Sequence, residues 1–324
     1  MWAHALLSLR LWREHRRRPY DCIFQLSQPE LLLLGVLRRS LPPVVVHPCS
    51  HAAGELRWHR RERRYARSLE PAWLRAVATT VLVVRSRLQR RSFLQPHLVV
   101  GPSQRLLELV AQDYGVPLER LRLLRHPVDL RAISAGPMER LPHRRLELLY
   151  VSRISARKGV ELIVGLSHRL DDLADAVHIT IVGGHTPWSD YRAALAELDC
   201  RVATYVGVRP FSEVLTMYRS ADAVLVPSRY EPGSLVCGEA LASGLPVVSS
   251  DEVGPSEVVN AACLRTFRSG DLDAFEREVR KLIPELRDKF ASVGRCAREE
   301  AERLFAPDII VRELESLLRE AASS

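Results

Sequence analysis

A chain of 324 residues with 47% hydrophobic and 27% charged side chains can bury two α/β cores and has the balance of a folded globular protein. Its longest apolar run, Leu31 to Leu37, is far too short to span a bilayer. Arg10 and the cluster Arg16, Arg17 and Arg18 break any secretory pattern at the start, so a cytoplasmic location is expected. The net charge of +8 is unevenly held: residues 1–100 contain 18 Arg and six Asp or Glu, a net of +12, which leaves −4 for the rest. A basic half can attract nucleic acid, an anionic membrane or a phosphorylated acceptor, although 44 Arg against 3 Lys also fits simple compositional bias.

The six cysteines lie in neither CxxC nor CxxH spacing, which signals no zinc site or redox pair and fits reduced, mostly buried thiols. From Tyr20 onward, short β-branched runs alternate with helical patterns, as in parallel sheets covered by helices. Strands are predicted at Tyr20–Leu26, Val44–His47, Leu98–Gly101 and Leu121–Arg125, with helices near 2–18, 29–40, 55–69 and 102–114. Residues 134–145, SAGPMERLPHRR, read as a polar linker. Beyond it, strands are predicted at Leu146–Val151, His178–Val182, Val202–Gly207, Ala223–Pro227, Pro246–Ser249 and Leu264–Phe267, with two or three closing helices after Leu272. The expected division is 1–140, 141–305 and a C-terminal helix, 306–324, packing back on the first domain. Two such domains would face a cleft, and open parallel sheets bind ligands beyond the C-terminal ends of their strands.

Three stretches of the second half carry chemistry. In VSRISARKGVELIV (151–164), Arg153 and Lys158 stand between a strand and a helix, where two cations suit a pyrophosphate. TIVGG (180–184) ends a strand in Gly183–Gly184, which implies close backbone approach. In YEPGSLVCGEALASGLPVV (230–248), Glu231 lies in a loop and Glu239 one turn into a helix that opens near Leu235. Their separation lets each carboxylate hold a different diol of one extended ligand rather than act as a close acid/base pair. Gly233 and Ser234 are small enough to let a ligand approach the backbone.

The order and spacing of SRISARKG, IVGG and EPGSLVCGEALASGLPVV resemble the donor-binding domain of family 4 retaining glycosyltransferases. In that family a G-R-x-x-x-x-K-G loop precedes a Gly-Gly strand end and an E-x7-E segment. The likeness covers residues 146–260 and, more loosely, 20–145, where LVVGPSQRLLELVAQDYGVP and LLRHPVDL resemble the end of an acceptor domain. It implies an α/β, GT-B fold of two Rossmann-like domains and transfer of a hexose or deoxyhexose from a nucleotide-diphosphate-sugar, without metal or other cofactor. Arg153 and Lys158 would hold the diphosphate, Glu231 the sugar hydroxyls and Glu239 the ribose. The amides of Leu235 and Val236, with Gly184, Gly233 and Ser234, would line the donor. In PPVVVHPCSHAAGE the family's donor-facing histidine matches His51, marginally preferred, or His47.

Ser152 stands where the family has glycine, and Gly233–Ser234 where it has Phe-Gly. The family's opening strand and glycine-rich loop have no match, so an incomplete N-terminal domain, or a partner that completes it, is expected. A shortened acceptor side leaves open a non-catalytic sugar-nucleotide-binding subunit or a degenerate transferase acting with a partner. An epimerase of the same fold also stays open, whereas a nicotinamide enzyme is disfavoured because no GxGxxG joins a strand to a helix. The acceptor, whether glycan, lipid or natural product, is left unassigned, and no nucleic-acid partner is expected. Residues 2–18, with Trp2, Leu6, Leu9 and Trp12 among arginines, form a candidate helix for peripheral membrane contact at the inner face.

Overall fold

The computed structural model describes residues 2–26, 40–66, 71–134, 144–185 and 190–323. The chain divides into two compact units. The first is Met1–Arg61, Ala72–His126 and Asp308–Ser324; the second is Pro127–Pro307 with Glu62–Pro71. The helix expected near 29–40 and most of the linker expected at 134–145 lie outside the described residues.

In the first unit the order is α1 (Trp2–Arg17), β1 (Ile23–Leu26), β2 (Val44–His47), α2 (Ala52–Ala66, of which the part up to Arg61 belongs to this unit), α3 (Ala72–Phe93), β3 (Leu98–Gly101), α4 (Gln104–Tyr114) and β4 (Leu121–Leu123). The strands form one parallel sheet in the order β1-β2-β3-β4. Helix α4 has clear ends: the Ser103 hydroxyl accepts from the Leu106 amide, and Gly115, at φ 72°, stops the helix in a left-handed turn. Val45, Leu98, Val100 and Leu124 of this unit pack with Ile310, Leu317 and Ala321 of the chain's last helix, Pro307–Ala322.

Helix α3 has no counterpart among the sequence predictions. Its centre, AVATTVLVV, is rich in β-branched residues and apolar on more than one side, so the polar/apolar contrast that marks a helix is weak there.

The second unit runs β5 (Leu146–Val151), α5 (Val160–Arg169), β6 (Val177–Val182), α6 (Arg192–Ala196), β7 (Ala203–Gly207), α7 (Phe211–Ser220) and β8 (Ala223–Val226). It continues with α8 (Leu235–Ala242), β9 (Val247–Ser250), β10 (Leu264–Phe267) and α9 (Leu272–Phe305). Its six strands are parallel, in the order β10-β9-β8-β5-β6-β7. Strands buried on both faces, such as β8 and β9, read as unbroken apolar runs because helices cover both sides of the sheet. Helix α9 is kinked at Lys289 (φ −132°) and buries Phe275, Leu282, Leu286 and Phe290 in the unit's core.

The chain winds outward in one direction through β5, β6 and β7, and in the other through β8, β9 and β10. The order therefore reverses between β5 and β8. A sheet of this kind leaves its crevice at that reversal, outside the C-terminal ends of the two strands.

Candidate functional site

Both predicted chemical loops of the second unit leave the sheet at this reversal: the loop with Arg153 and Lys158 follows β5, and the loop with Glu231 follows β8. Glycine brings them together. At Gly159 (φ 74°) an added Cβ would fall 2.2 Å from the Pro227 carbonyl oxygen, so only glycine lets the first loop approach the end of β8 this closely. The Arg229 amide then donates to the Arg157 carbonyl at 2.8 Å. Buried Arg229 also reaches across to the Glu161 carboxylate on α5, through Nε at 2.8 Å and through Nη2. Backbone and buried ion pair together tie the two loops into one body.

Within that body Lys158 Nζ donates to Glu231 Oε2, and the Ser228 hydroxyl donates to the same oxygen at 2.8 Å. The two charged side chains are 12% and 15% exposed, sheltered enough to interact strongly and open enough for a ligand to reach. Glu231 Oε1 has no hydrogen-bond partner among the described residues. Burial pushes the Lys158 ammonium below the ordinary lysine range; the adjacent Glu231 carboxylate opposes this, and the positive charges of Arg157 and Arg153 add to it. Arg153 is exposed and near enough for its charge to be felt at Lys158.

Beyond Glu231 the chain turns through Gly233 into α8. Ser234 is buried and caps the helix, its hydroxyl accepting from the Cys237 amide at 3.3 Å. The amides of Leu235 and Val236, ahead of the first intrahelical bond, have no acceptor among the described residues. They form the positive end of the helix dipole. Glu239 lies on the second turn and is hydrogen-bonded to neither Lys158 nor Glu231. Its Oε2 accepts from the hydroxyl of Tyr218, a fully buried α7 side chain at 0% exposure. Burial raises the Glu239 carboxyl above the usual carboxylate range, and the Tyr218 hydrogen bond partly offsets this.

The structure thus joins Lys158 and Glu231 directly, leaves Arg153 within electrostatic reach of Lys158 and gives Glu239 a separate anchor. Tyr218, Ser228, Arg229 and Glu161 were not singled out from the sequence. Tyr218 reads there as one more core aromatic of an amphipathic helix, and its hydroxyl finds Glu239 only once α7 and α8 are packed.

The double glycine has a partly structural origin. Gly183 (φ 146°) is the position that excludes a side chain, because an added Cβ would overlap the Ser152 carbonyl at 1.6 Å. Gly184, expected to approach the donor, accepts from the Ile154 amide at 2.8 Å, and an added Cβ there would meet Val208 Cγ2 at 2.9 Å. The pair lets the loop after β5 lie flat against the end of β6.

The two histidines of the first unit differ sharply. His51, the marginally preferred candidate, is 0% exposed, with Nε2 2.6 Å from Asp113 Oδ2; Asp113 also accepts from Arg57 at 2.5 Å. This arrangement fixes the start of α2 to the end of α4 and spends His51 on internal structure. His47 is the last residue of β2. Its Nε2 lies 2.9 Å from the Leu124 carbonyl, which only a protonated nitrogen can satisfy, while buried Nδ1 has no partner. Its ring centroid is 5.0 Å from that of His126. Burial lowers the pKa of both rings, His126 to about 4 with the help of His47, so the pair is neutral near pH 7.

Among the described residues, no group of three or more His, Cys, Asp or Glu is placed to hold a metal ion, and no helix is long and apolar enough to cross a membrane.

Two parallel-sheet α/β units, the second with its charged loops at the strand-order reversal, define the GT-B fold of glycosyltransferases. Residues 137–296, just under half of the chain, match the family model described as Glycosyl transferases group 1. WcaL of Escherichia coli (strain K12), named as a colanic acid biosynthesis glycosyltransferase, is 32% identical over 224 residues, 64% of this chain and 53% of its own length. The chain spans about half the length of the curated relatives it matches. Sucrose-phosphate synthase from Thermosynechococcus elongatus superposes with a TM-score of 0.77 at 20% identity, covering 98% of this chain and 78% of that one. Anabaena Alr3699/HepE in complex with UDP gives 0.73 at 18% identity, covering 97% and 82%.

Proposed function

We propose that the protein is a retaining, metal-independent transferase of the family 4 type that moves a hexosyl or deoxyhexosyl group from a nucleoside-diphosphate-sugar to an acceptor hydroxyl. One observation carries the reading: Lys158 and Glu231 meet at the reversal between β5 and β8, with the charge of Arg153 felt at Lys158 and the free amides of α8 opening the helix that follows the Glu231 loop. Cation, carboxylate and helix N-terminus in that order suit a ligand that is a diphosphate at one point and a polyol at the next. A neighbour of the same fold bound to UDP-glucose supports this ligand class.

In this reading Arg153 and Lys158 neutralise the diphosphate as it departs, which requires no bound metal. Such preorganised charge stabilisation is where most of the rate enhancement is expected. Glu231 Oε1 accepts from sugar hydroxyls while Lys158 and Ser228 steady Oε2. Glu239, held by Tyr218, accepts from the ribose diol, and the Leu235 and Val236 amides donate to sugar and phosphate oxygens. The bond from the anomeric carbon to the phosphate oxygen breaks as the bond to the acceptor oxygen forms on the same face. The acceptor's proton passes to the departing diphosphate. The first unit's contribution is assigned to His47 rather than His51, because His47 retains an unshared nitrogen lone pair.

The test is calorimetric titration with UDP, GDP and ADP, followed by donor turnover with the matching nucleotide-sugars. Micromolar binding of one nucleotide and release of it from its sugar donor are expected. Binding without turnover, with or without an acceptor extract, would instead mark a non-catalytic sugar-nucleotide-binding subunit. No nucleotide binding at all would defeat both.

A further inference from the structure

Helix α3 of the first unit takes no part in the site described above and presents an unusual outer face. Trp73, Val77, Val81 and Val84 are 68%, 52%, 49% and 48% exposed. Their spacing of four, four and three residues puts them on one stripe, about 16 Å long at 1.5 Å per residue. Ala76 and Thr80, also exposed, fill the gaps, so no charge interrupts it. The helix carries five arginines and no acidic residue. Two of these turn inward: Arg75 donates to the His59 carbonyl at 2.6 Å, and Arg85 pairs with Glu55 at 3.5 Å. The other three, Arg87, Arg90 and Arg91, are exposed at the end of the stripe and have no carboxylate partner among the described residues.

An unbroken apolar stripe on the outer face of a helix marks a docking site, and the charge around it selects the occupant. A second copy of the chain would bring six exposed arginines, three from each helix, to one seam with no carboxylate from either helix to offset them. A polynucleotide would meet tryptophan and valine where its phosphates need cations. An anionic bilayer satisfies both halves, taking the apolar stripe at the acyl boundary and the arginines at the headgroup phosphates. Helix α1 is less suited: its exposed Leu6, Leu7 and Leu9 point in different directions around the helix and form no stripe.

We propose that α3 is a peripheral membrane-docking helix, with Trp73, Val77, Val81 and Val84 entering the interface and Arg87, Arg90 and Arg91 binding anionic lipid headgroups. The contact is independent of the chemistry assigned to the second unit.

The full chain is sedimented with vesicles of phosphatidylcholine alone or with about 30% phosphatidylglycerol, at low and high salt. Binding to the anionic vesicles at low salt and its weakening at high salt are expected. Replacing Arg87, Arg90 and Arg91 together by Gln should weaken it roughly 10- to 100-fold, at about tenfold or less per charge. The double variant Val77→Asp, Val81→Asp should abolish it while leaving the far-ultraviolet circular dichroism unchanged. A blue shift of tryptophan emission on binding should vanish in Trp73→Phe and persist in Trp12→Phe, which separates α3 from α1. Failure of the wild-type chain to bind anionic vesicles at low salt would overturn the proposal. So would undiminished binding by the folded double variant, or a dimer in light scattering that this variant converts to monomer.

Discussion

The two units put positive charge to opposite uses. In the second, Lys158 is nearly enclosed, faces a single carboxylate and has its proton affinity altered by burial. In the first, Arg87, Arg90 and Arg91 stand in water at the end of an apolar stripe and act through their summed field. An enclosed charge is specific: its energy depends on one partner at one distance, and its loss is felt at one place. An exposed cluster is tolerant, since each member is screened by salt and replaceable by the next. Function should therefore fall steeply with single changes around Lys158 and only gradually with single changes on α3.

The steepest fall belongs to Lys158→Ala, which should lower donor turnover by about 10²- to 10³-fold, the usual cost of removing one preorganised charge-stabilising group. Nucleotide affinity should change much less. In the wild type, turnover should decline at alkaline pH from a point below the ordinary lysine value of about 10.4, because burial holds the Lys158 pKa down and the neutral amine stabilises no diphosphate. Unchanged turnover in the variant would break the contrast between the units at its centre.

Next is Glu239→Ala, expected to weaken nucleotide binding roughly 10- to 100-fold, the worth of charge-assisted hydrogen bonds to a diol, with turnover at saturating donor less affected. Titration calorimetry reads the difference. Equal losses in affinity and turnover would place Glu239 at the reacting sugar instead.

The histidines sharpen the comparison within the first unit. His51→Ala leaves the half-buried Asp113 with one partner fewer and should cost about 1–3 kcal/mol of stability, visible as a lowered thermal midpoint. His47→Ala, which costs the Leu124 carbonyl its donor but leaves no carboxylate short of a partner, should lower turnover while moving the midpoint less. The reverse pattern would restore His51 as the functional histidine.

The smallest expected effect is that of Tyr218→Phe. Losing one hydroxyl should weaken nucleotide binding about 3- to 10-fold. It also removes the hydrogen bond that restrains the Glu239 pKa, so that pKa rises further. An ionised Glu239 accepts from the ribose and a protonated one binds it poorly, so affinity falls as pH drops through this pKa. In the variant that fall should begin at higher pH than in the wild type. A uniform loss with no shift of the acid limb would reduce Tyr218 to a packing residue.

Much of the fold could be read along the chain because its strands are short apolar runs between turn formers. β2, β3, β5 and β10 lie at the predicted residues, and α8 begins at the predicted Leu235. α3 escaped because its apolar residues serve two purposes, some packing inward and some forming the exposed stripe, which erases the one-sided period that betrays a helix.

Local order and spacing by themselves determined the parallel α/β alternation, the three chemical loops and the identity of Arg153, Lys158, Glu231 and Glu239 as the residues to examine. Those features rest on interactions between near neighbours: a strand end, a glycine turn, a helix start. Only the tertiary structure decided that Lys158 closes on Glu231 across the β5–β8 reversal and that Glu239 hangs from Tyr218. It also decided that His51 is consumed by Asp113 while His47 keeps a free nitrogen. Each of those pairings joins groups 21 to 77 positions apart through burial, and the partner a polar group finds there depends on which helices come to lie beside it.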